Sequence, residues 1–329
     1  MSYTARQTSN SARKVDVHHH LVPDVWKEEI TKIALGPEEI PPLNWTLEGS
    51  ESFMKKAGLT TTIFSLTTPG VTKFDLVTAR RVARAVNEYS AELREKNPGK
   101  FGFFATLPSL HDDIYGAVEE ARYALTTLKA EGVIVFTHYG PENHYLGHPS
   151  FRPLWKLLDD LKAIAFVHPC PPRDKATFPD TLLPHVTEYP HETTRSAVDL
   201  IFSNTRRDHP SIKFILSHAG GTLPYLAGRV SFMEIFPSSP NKKGHEEIYQ
   251  EIQSFYYDLA MSGHPNTLRT LLGFVPEDHI LFGSDYPYAL EPGIRRMNDN
   301  WEEFPLYQQT RDMINFENAE KILPMFQKS

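Results

Sequence analysis

The sequence predicts an α/β protein that folds as a (β/α)8 TIM barrel, and three observations support that prediction. Eight short apolar runs, rich in β-branched and aromatic residues, recur along the 329 residues. The runs are continuous rather than alternating, as expected for parallel strands that are buried on both faces. Helix-length segments with a 3.6-residue apolar period lie between them. Strand–helix alternation repeated eight times in a chain of this length indicates one barrel.

The predicted elements follow one another in regular order. The apolar runs predict strands at Lys14–Val17, Thr61–Leu66, Phe101–Leu107, Gly132–Phe136, Ile164–Val167, Lys213–Leu216, Phe255–Leu259 and His279–Phe282. Helical periodicity is clearest over Leu76–Lys96, Ile114–Glu131, Pro153–Leu161, Thr193–Arg206 and Pro265–Leu272. The long, proline-bearing segment 24–58 predicts a small insertion after strand one, and segment 230–254 is also long. The residues after 286 predict a C-terminal helical extension outside the barrel.

Composition excludes several classes of protein. The 34 Lys and Arg against 41 Asp and Glu give a formal charge of −7, which argues against a nucleic-acid partner. The one cysteine, Cys170, excludes a disulfide framework and a Cys-rich zinc module. No apolar run approaches the roughly 18 residues that span a membrane, and the polar start shows no secretory signal. We therefore expect a cytoplasmic protein with no membrane partner, a disordered tail over 1–12 and a single domain over 13–329.

Histidines and one aspartate stand at predicted strand ends. Because the C-terminal strand ends of such a barrel face one mouth, these side chains should meet there. His18 and His20 are two residues apart, so on an extended backbone both rings project to one side while His19 points away. With His168 and Asp285 they make a set of three nitrogens and one oxygen, which suits one divalent metal such as Zn or Mn.

His218 is a fifth group at the same mouth, at the end of the sixth predicted strand. It can serve as a metal ligand or as a general acid or base. Since four other ligands are available, we assign His218 to proton handling beside the metal, and we leave a second metal as the alternative.

The motifs around these residues, taken together and in order, resemble the amidohydrolase superfamily, and more closely its decarboxylase branch. That branch contains aminocarboxymuconate-semialdehyde decarboxylase and the non-oxidative hydroxybenzoate decarboxylases. The resemblance extends from about Val15 to Leu323. Its motifs are Asp16–His20, Tyr145–Pro149, Val167–Pro169, Ser217–Gly221 and Gly283–Pro287. The segments Val15–Pro23 and Ser65–Gly70 are most similar to the fungal 6-methylsalicylate decarboxylases of polyketide metabolism.

The resemblance implies roles for individual residues. The metal ligands are matched by His18, His20, His168 and Asp285. His218 matches a histidine that assists protonation, and Arg229 matches an arginine that in some relatives crosses a homodimer interface to meet the substrate carboxylate. Gly221 stands where an acid is usual, so Glu192 is a substitute candidate for a substrate or histidine contact. A helix N-terminal acid that balances the macrodipole is an equally open interpretation of Glu192.

These roles imply metal-dependent decarboxylation of a small aromatic acid. The predicted substrate is an ortho-hydroxybenzoate such as 6-methylsalicylate, which would give 3-methylphenol and CO2. His218 or Asp285 would protonate the ring, and Trp45 and Phe178 are the preferred aromatic contacts. No glycine-rich phosphate loop is present, so no organic cofactor is expected. Strand four carries no lysine for a carboxylated bridge, which favours one metal.

Two alternatives use the same scaffold. A hydrolase of a lactone or cyclic amide would use the same ligands, with a metal-bound hydroxide as the nucleophile. A non-catalytic metal-binding barrel is less consistent with a complete set of ligands and acids.

Overall fold

The computed structural model describes residues 13–33, 43–142, 144–172, 183–236 and 242–327. Eight parallel strands pair in chain order and form one sheet, which confirms the TIM barrel. Their bounds are β1 Lys14–Leu21, β2 Leu59–Leu66, β3 Phe101–Ala105, β4 Gly132–Phe136, β7 Ile164–His168, β8 Lys213–Leu216, β9 Tyr256–Asp258 and β10 Ile280–Leu281. The amide of Val17 donates to the Phe282 carbonyl at 3.0 Å and joins the last strand to the first.

Helices surround the barrel within the described residues. They are α1 Asp24–Ile30, α2 Leu47–Ala57, α3 Leu76–Lys96, α4 Ile114–Thr126, α5 Arg152–Asp160, α6 Pro184–Phe202, α7 Thr205–Asp208, α8 Leu223–Ser231, α9 His245–Gln253, α10 Pro265–Leu272, α11 Glu291–Glu303, α12 Gln308–Asp312 and α13 Asn318–Ile322. Local sequence sets their ends. The Asp75 carboxylate accepts from two amides of the first turn of α3, which begins and ends as the periodicity predicts.

The first strand is longer than the sequence indicated. It runs to Leu21 rather than Val17, so that all three consecutive histidines lie inside it and are buried. The sequence predicts extended backbone at His18 and His20, but it does not show that the rings are buried. Buried imidazoles need polar partners, and Asp258 and Asp285, which contact His18, lie far from it in the sequence.

Two features flank the barrel as predicted, and one was not predicted. Helices α1 and α2 form the insertion after strand one, and α11 to α13 form the C-terminal extension. A two-stranded antiparallel hairpin, β5 His138–Tyr139 with β6 His144–Tyr145, follows the fourth barrel strand. Strands of two residues carry too little periodicity to be recognised in a sequence.

Some predictions concern features that the fold alone does not test. The predicted disordered tail, 1–12, lies outside the described residues, and the single-domain assignment stays a prediction. Among the described helices, none is long and apolar enough to cross a membrane.

Candidate metal centre

The first strand presents two imidazoles to the barrel mouth. The Nε2 atoms of His18 and His20 lie 3.2 Å apart, and each is within 3.4 Å of an Asp285 carboxylate oxygen. His19 projects the other way, and its ring nitrogens bond to Asp16 at 3.0 Å and to Ser50 at 3.0 Å. The alternation along an extended strand therefore produces the pair that the sequence predicted.

Further strand ends complete the cluster. Ligand atoms of His18, His168, His218 and Asp285 all lie within 4.8 Å of one another. His20 joins this set through its contacts with His18 and Asp285. The structure thus brings together all five residues that the sequence placed at the mouth. His218 is as well placed for ligation as His20, so the division between ligand and proton-handling group stays a prediction.

The spacing of these donor atoms fits a single ion. Two ligands that each lie about 2.1 Å from one tetrahedral ion are separated by about 3.4 Å. The separations among His18 Nε2, His20 Nε2 and Asp285 Oδ1 are 3.2 to 3.4 Å. Imidazole nitrogens with one carboxylate oxygen suit Zn and also Mn or Fe, so the donor set accepts a divalent metal without specifying it.

A second carboxylate, which the sequence did not single out, supports the cluster. Asp258 ends β9 and is fully buried, and its Oδ2 lies 2.9 Å from Nδ1 of His18. Its Oδ1 accepts hydrogen bonds from the amides of His218 and Ala260. Holding Nδ1 in this way directs the Nε2 lone pair of His18 into the cluster.

The backbone around the cluster adopts a conformation that few residues tolerate. His218 has φ 54° and Asp285 has φ 66°, both in the left-handed region, which costs roughly 1–3 kcal/mol for each such residue. Hydrogen bonds hold both positions: the His218 amide donates to Asp258, and the Asp285 amide donates to the His18 carbonyl at 2.8 Å. Gly283 allows the chain after β10 to lie close against β1, because a Cβ at position 283 would lie 2.9 Å from the Cβ of His18.

Burial keeps most of the imidazoles in the neutral form that a metal requires. Desolvation lowers the pKa of His20 and of His218, and it lowers the pKa of His168 well below its ordinary value. Neutral rings have a lone pair to donate. Nδ1 of His218 lies 3.1 Å from the Ala260 carbonyl, which leaves its Nε2 for the cluster.

The pKa shifts of His18 and Asp285 show that the cluster stabilises positive charge. Burial disfavours the charged form of His18, yet Asp258 and Asp285 outweigh that effect and raise the pKa to about 10. Burial also disfavours ionised Asp285, but hydrogen bonds from His18 and His20 bring the pKa of that carboxyl well below its usual range. The carboxylates of Asp258 and Asp285, placed around buried imidazoles, provide the negative field that a bound cation needs.

The structure places the predicted substrate contacts at several distances from the cluster. Trp45 is buried beside Phe64, and its indole donates to Ser50 at 2.8 Å, so it packs beneath His19. Arg229 is exposed on α8. Phe178 lies outside the described residues. The substrate contacts assigned to these residues stay predictions.

Glu192 contacts neighbours other than those first considered. Its buried carboxylate accepts from Tyr145 at 3.0 Å, pairs with Arg195 and lies 3.5 Å from His138 Nε2. The carboxylate that contacts a histidine of the cluster, on the ring nitrogen of His18 that faces away from the other ligands, belongs to Asp258. The available signal was a strand-end aspartate in Tyr256–Asp258, which had been interpreted as part of the strand.

A family model described as Amidohydrolase matches residues 15–325. The chain belongs to this amidohydrolase family. It is 40% identical over 316 residues to a 6-methylsalicylic acid decarboxylase of Penicillium expansum, with 94% of this chain and 96% of that protein covered. It is 42% identical over 298 residues to a 6-methylsalicylic acid decarboxylase of Aspergillus aculeatus, covering 88% and 89% of the two chains.

One solved structure of a decarboxylase is similar to this amidohydrolase over most of both chains. A 2,6-dihydroxybenzoate decarboxylase in complex with 2,6-dihydroxybenzoate superposes with a TM-score of 0.74 at 25% identity. The match covers 94% of this chain and 98% of that one. The similarity therefore includes the barrel, the insertion and the extension.

Proposed function

We propose that this amidohydrolase is a carboxy-lyase that decarboxylates an ortho-hydroxybenzoate without oxidation, with 6-methylsalicylate as the preferred candidate and 3-methylphenol and CO2 as products. The observation that carries the proposal is the convergence of His18, His168, His218 and Asp285 within 4.8 Å at the barrel mouth. The two fungal relatives at 40% and 42% identity are named for the same reaction, which supports the choice of substrate.

The residues of the cluster divide into holding and proton-handling groups. His18, His20, His168 and Asp285 would hold one divalent metal, Zn or Mn. Bound there, the metal would act as a Lewis acid that stabilises negative charge on the substrate. No organic cofactor takes part in this proposal.

His218 and Asp285 are the two groups that can move the proton. Decarboxylation requires a proton on the ring carbon that bears the carboxylate. The C–C bond then breaks and CO2 leaves, and the electron pair of that bond restores the aromatic ring. His218 Nε2 faces the cluster because Nδ1 lies against the Ala260 carbonyl. His218 Nε2 or the Asp285 carboxylate first takes up a proton, from the substrate hydroxyl or from water, then delivers it to the ring carbon and ends the cycle unprotonated again.

A screen for two kinds of product tests the proposal. The metal-loaded protein is incubated with 6-methylsalicylate, other substituted salicylates and a panel of lactones and cyclic amides, and both CO2 and acid production are measured. We expect CO2 and 3-methylphenol from 6-methylsalicylate. Turnover of lactones with no CO2 from any salicylate would show that the chain is a hydrolase on the same scaffold.

Substitution of the proton-handling groups distinguishes an enzyme from a metal-binding barrel. His218→Asn and Asp285→Asn should each reduce CO2 release by about 10²-fold or more, as expected for loss of a general acid. Retained activity in both variants would overturn the catalytic assignment.

The homodimer belongs to the same proposal. Arg229 shares α8 and the turn that follows it with four exposed apolar side chains: Tyr225 (82% exposed), Phe232 (55%), Ile235 (68%) and Phe236 (51%). A cluster of exposed apolar side chains around one cation is typical of an interface. Sedimentation of the wild-type chain and of a Phe232→Glu variant tests it, with a dimer expected only for the wild type.

A further inference from the structure

Glu192 forms the centre of a buried polar network beside the barrel mouth. Its side chain is 1% exposed, and a buried carboxyl group requires polar partners. Arg195, one turn further along α6, supplies the opposite charge, and the Tyr145 hydroxyl donates at 3.0 Å. His138 Nε2 lies 3.5 Å away and is buried, and within the described part of the chain it has no hydrogen-bond partner.

The hairpin after the fourth barrel strand presents two of these groups together. His138 and Tyr145 are directly paired across the β5–β6 ladder, so both side chains leave the same face of the hairpin toward α6. The ring of His138 also interacts with the Pro171 carbonyl, three residues beyond His168. The network therefore connects α6 to the loops that follow the fourth and fifth barrel strands.

The same helix also contacts the loop that carries His218. A Cβ on Gly221 would lie 1.9 Å from the Pro190 carbonyl, so α6 occupies the space of a side chain at position 221. The Thr194 hydroxyl lies 2.9 Å from that of Thr222. Glu192 stands between these two contacts in sequence, so a shift of α6 at Glu192 would be transmitted directly to the His218 loop.

We propose that Glu192 is a positioning residue, which fixes α6 against the β5–β6 hairpin and so sets where the substrate ring lies relative to His218. The inference rests on the proposed decarboxylation and deepens it, because it names a group that selects among substituted hydroxybenzoates. Glu192 acts by fixing the position of α6 and does not take part in the reaction itself. It contacts Tyr145, Arg195 and His138, and it influences the reaction through the backbone of α6.

The charges of the network explain why it holds one arrangement. Burial raises the pKa of Tyr145 and lowers the pKa of His138, so both groups are neutral near pH 7. The Glu192 carboxylate pairs with the half-exposed Arg195 guanidinium. Removing the carboxylate charge would leave two neutral donors and a cation without the acceptor that aligns them.

Three variants test the proposal. Glu192→Gln removes the charge with little change in volume, and Tyr145→Phe removes one hydroxyl. Asp199→Asn is the matched control, because Asp199 also lies on α6 and also ties it to the segment after β6, through the Gly147 amide at 2.6 Å. Metal content, thermal midpoint, kcat and KM are measured for 6-methylsalicylate and for salicylate, which lacks the methyl group.

We expect Glu192→Gln to bind a full complement of metal and to lose about tenfold in kcat, since a small misplacement of a reacting group is costly. We expect its preference for 6-methylsalicylate over salicylate to fall by about threefold, as for a pocket that no longer fits one methyl group well. Tyr145→Phe should show the same pattern more weakly. Asp199→Asn should lower the thermal midpoint while leaving the substrate preference unchanged.

Wild-type kcat and preference in metal-loaded Glu192→Gln would overturn the proposal, as would equal losses in Glu192→Gln and Asp199→Asn that follow stability alone. If Glu192→Gln does not fold, Tyr145→Phe decides on the same criteria. The wild-type assay separates the two inferences. If the wild type releases no CO2 from any hydroxybenzoate, the proposed function is wrong, and the variants are compared on the lactone that it hydrolyses.

Discussion

Asp258 shows most clearly how a single side chain organises the site. It is 240 residues from His18 in sequence, yet its carboxylate holds that ring at 2.9 Å and also anchors the His218 amide. The four histidines could be predicted because each follows an apolar run and the barrel brings strand ends together. Asp258 lies inside the predicted strand Phe255–Leu259 rather than after it, and its role depends on the contact with His18, which the local sequence does not show.

Loss of this support should weaken metal binding before it affects the fold. We predict that Asp258→Asn lowers metal affinity by about 10- to 100-fold, since it removes the charged partner that orients His18. Titration of the metal-free protein with Zn or Mn measures the change. Asp278→Asn, at an exposed aspartate that pairs with His279, is the control. Equal affinities in the two variants would contradict the role given to Asp258.

At the scale of elements, helix α6 contacts the loop that carries His218, and its observed bounds differ from the predicted ones. The predicted helix Thr193–Arg206 is observed as Pro184–Phe202, with Pro190 inside it. The extra N-terminal turns contact the His218 loop at Gly221, where the chain has φ 66°. The missing acid at position 221 was evident from the sequence, whereas its physical reason, a helix backbone in van der Waals contact, required the structure.

Replacement by alanine should therefore lower the unfolding free energy at Gly221 and raise it at Gly228. Gly221→Ala places a methyl group against the Pro190 carbonyl in a left-handed conformation, and we predict a loss of at least about 1–3 kcal/mol in unfolding free energy. Gly228→Ala, inside α8 and with no described residue within 4 Å of the added methyl group, should gain about 1 kcal/mol. Urea denaturation of both variants measures the difference. A neutral Gly221→Ala would show that α6 does not press on this loop.

A buried acid at the opposite end of β4 joins three elements. Glu131 contacts Arg94 of α3 and accepts from the Met325 amide at 2.8 Å near the chain end. Burial outweighs both interactions and raises the pKa of this carboxyl to about 7 from 4.5. The folded state therefore holds the proton more tightly than the unfolded state, and the stability that this provides is lost as pH rises from 4.5 to 7.

Replacement by an amide should remove that dependence. We predict that between pH 4.5 and 7 the unfolding free energy of the wild type falls further than that of Glu131→Gln. The difference is up to roughly 3 kcal/mol, at 1.36 kcal/mol per pKa unit. Denaturation at a series of pH values provides the measurement, and Glu303→Gln, at an exposed acid, is the control. Parallel pH profiles for wild type and Glu131→Gln would contradict the shift.

For the whole molecule, the order of elements and the meeting of the five site residues were predictable, whereas the individual contacts that hold those residues were not. Continuous apolar runs separated by helical periodicity identify a parallel barrel, because both patterns are local in the sequence. The contacts that close the ring are not local: the His18 carbonyl accepts from the amide of Asp285, and the Val17 amide donates to Phe282. The barrel brings His18 and Asp285 together, and the whole fold therefore specifies the metal site.

The central claim is that this single cluster holds the one metal ion on which decarboxylation depends. Titration of the metal-free chain with Mn or Zn, with CO2 release from 6-methylsalicylate measured at each step, tests it most directly. We expect no release without metal and a linear rise that saturates at about one ion per chain, as for a mononuclear site with an open position. Full activity in the metal-free chain, or saturation only at two ions per chain, would contradict the account.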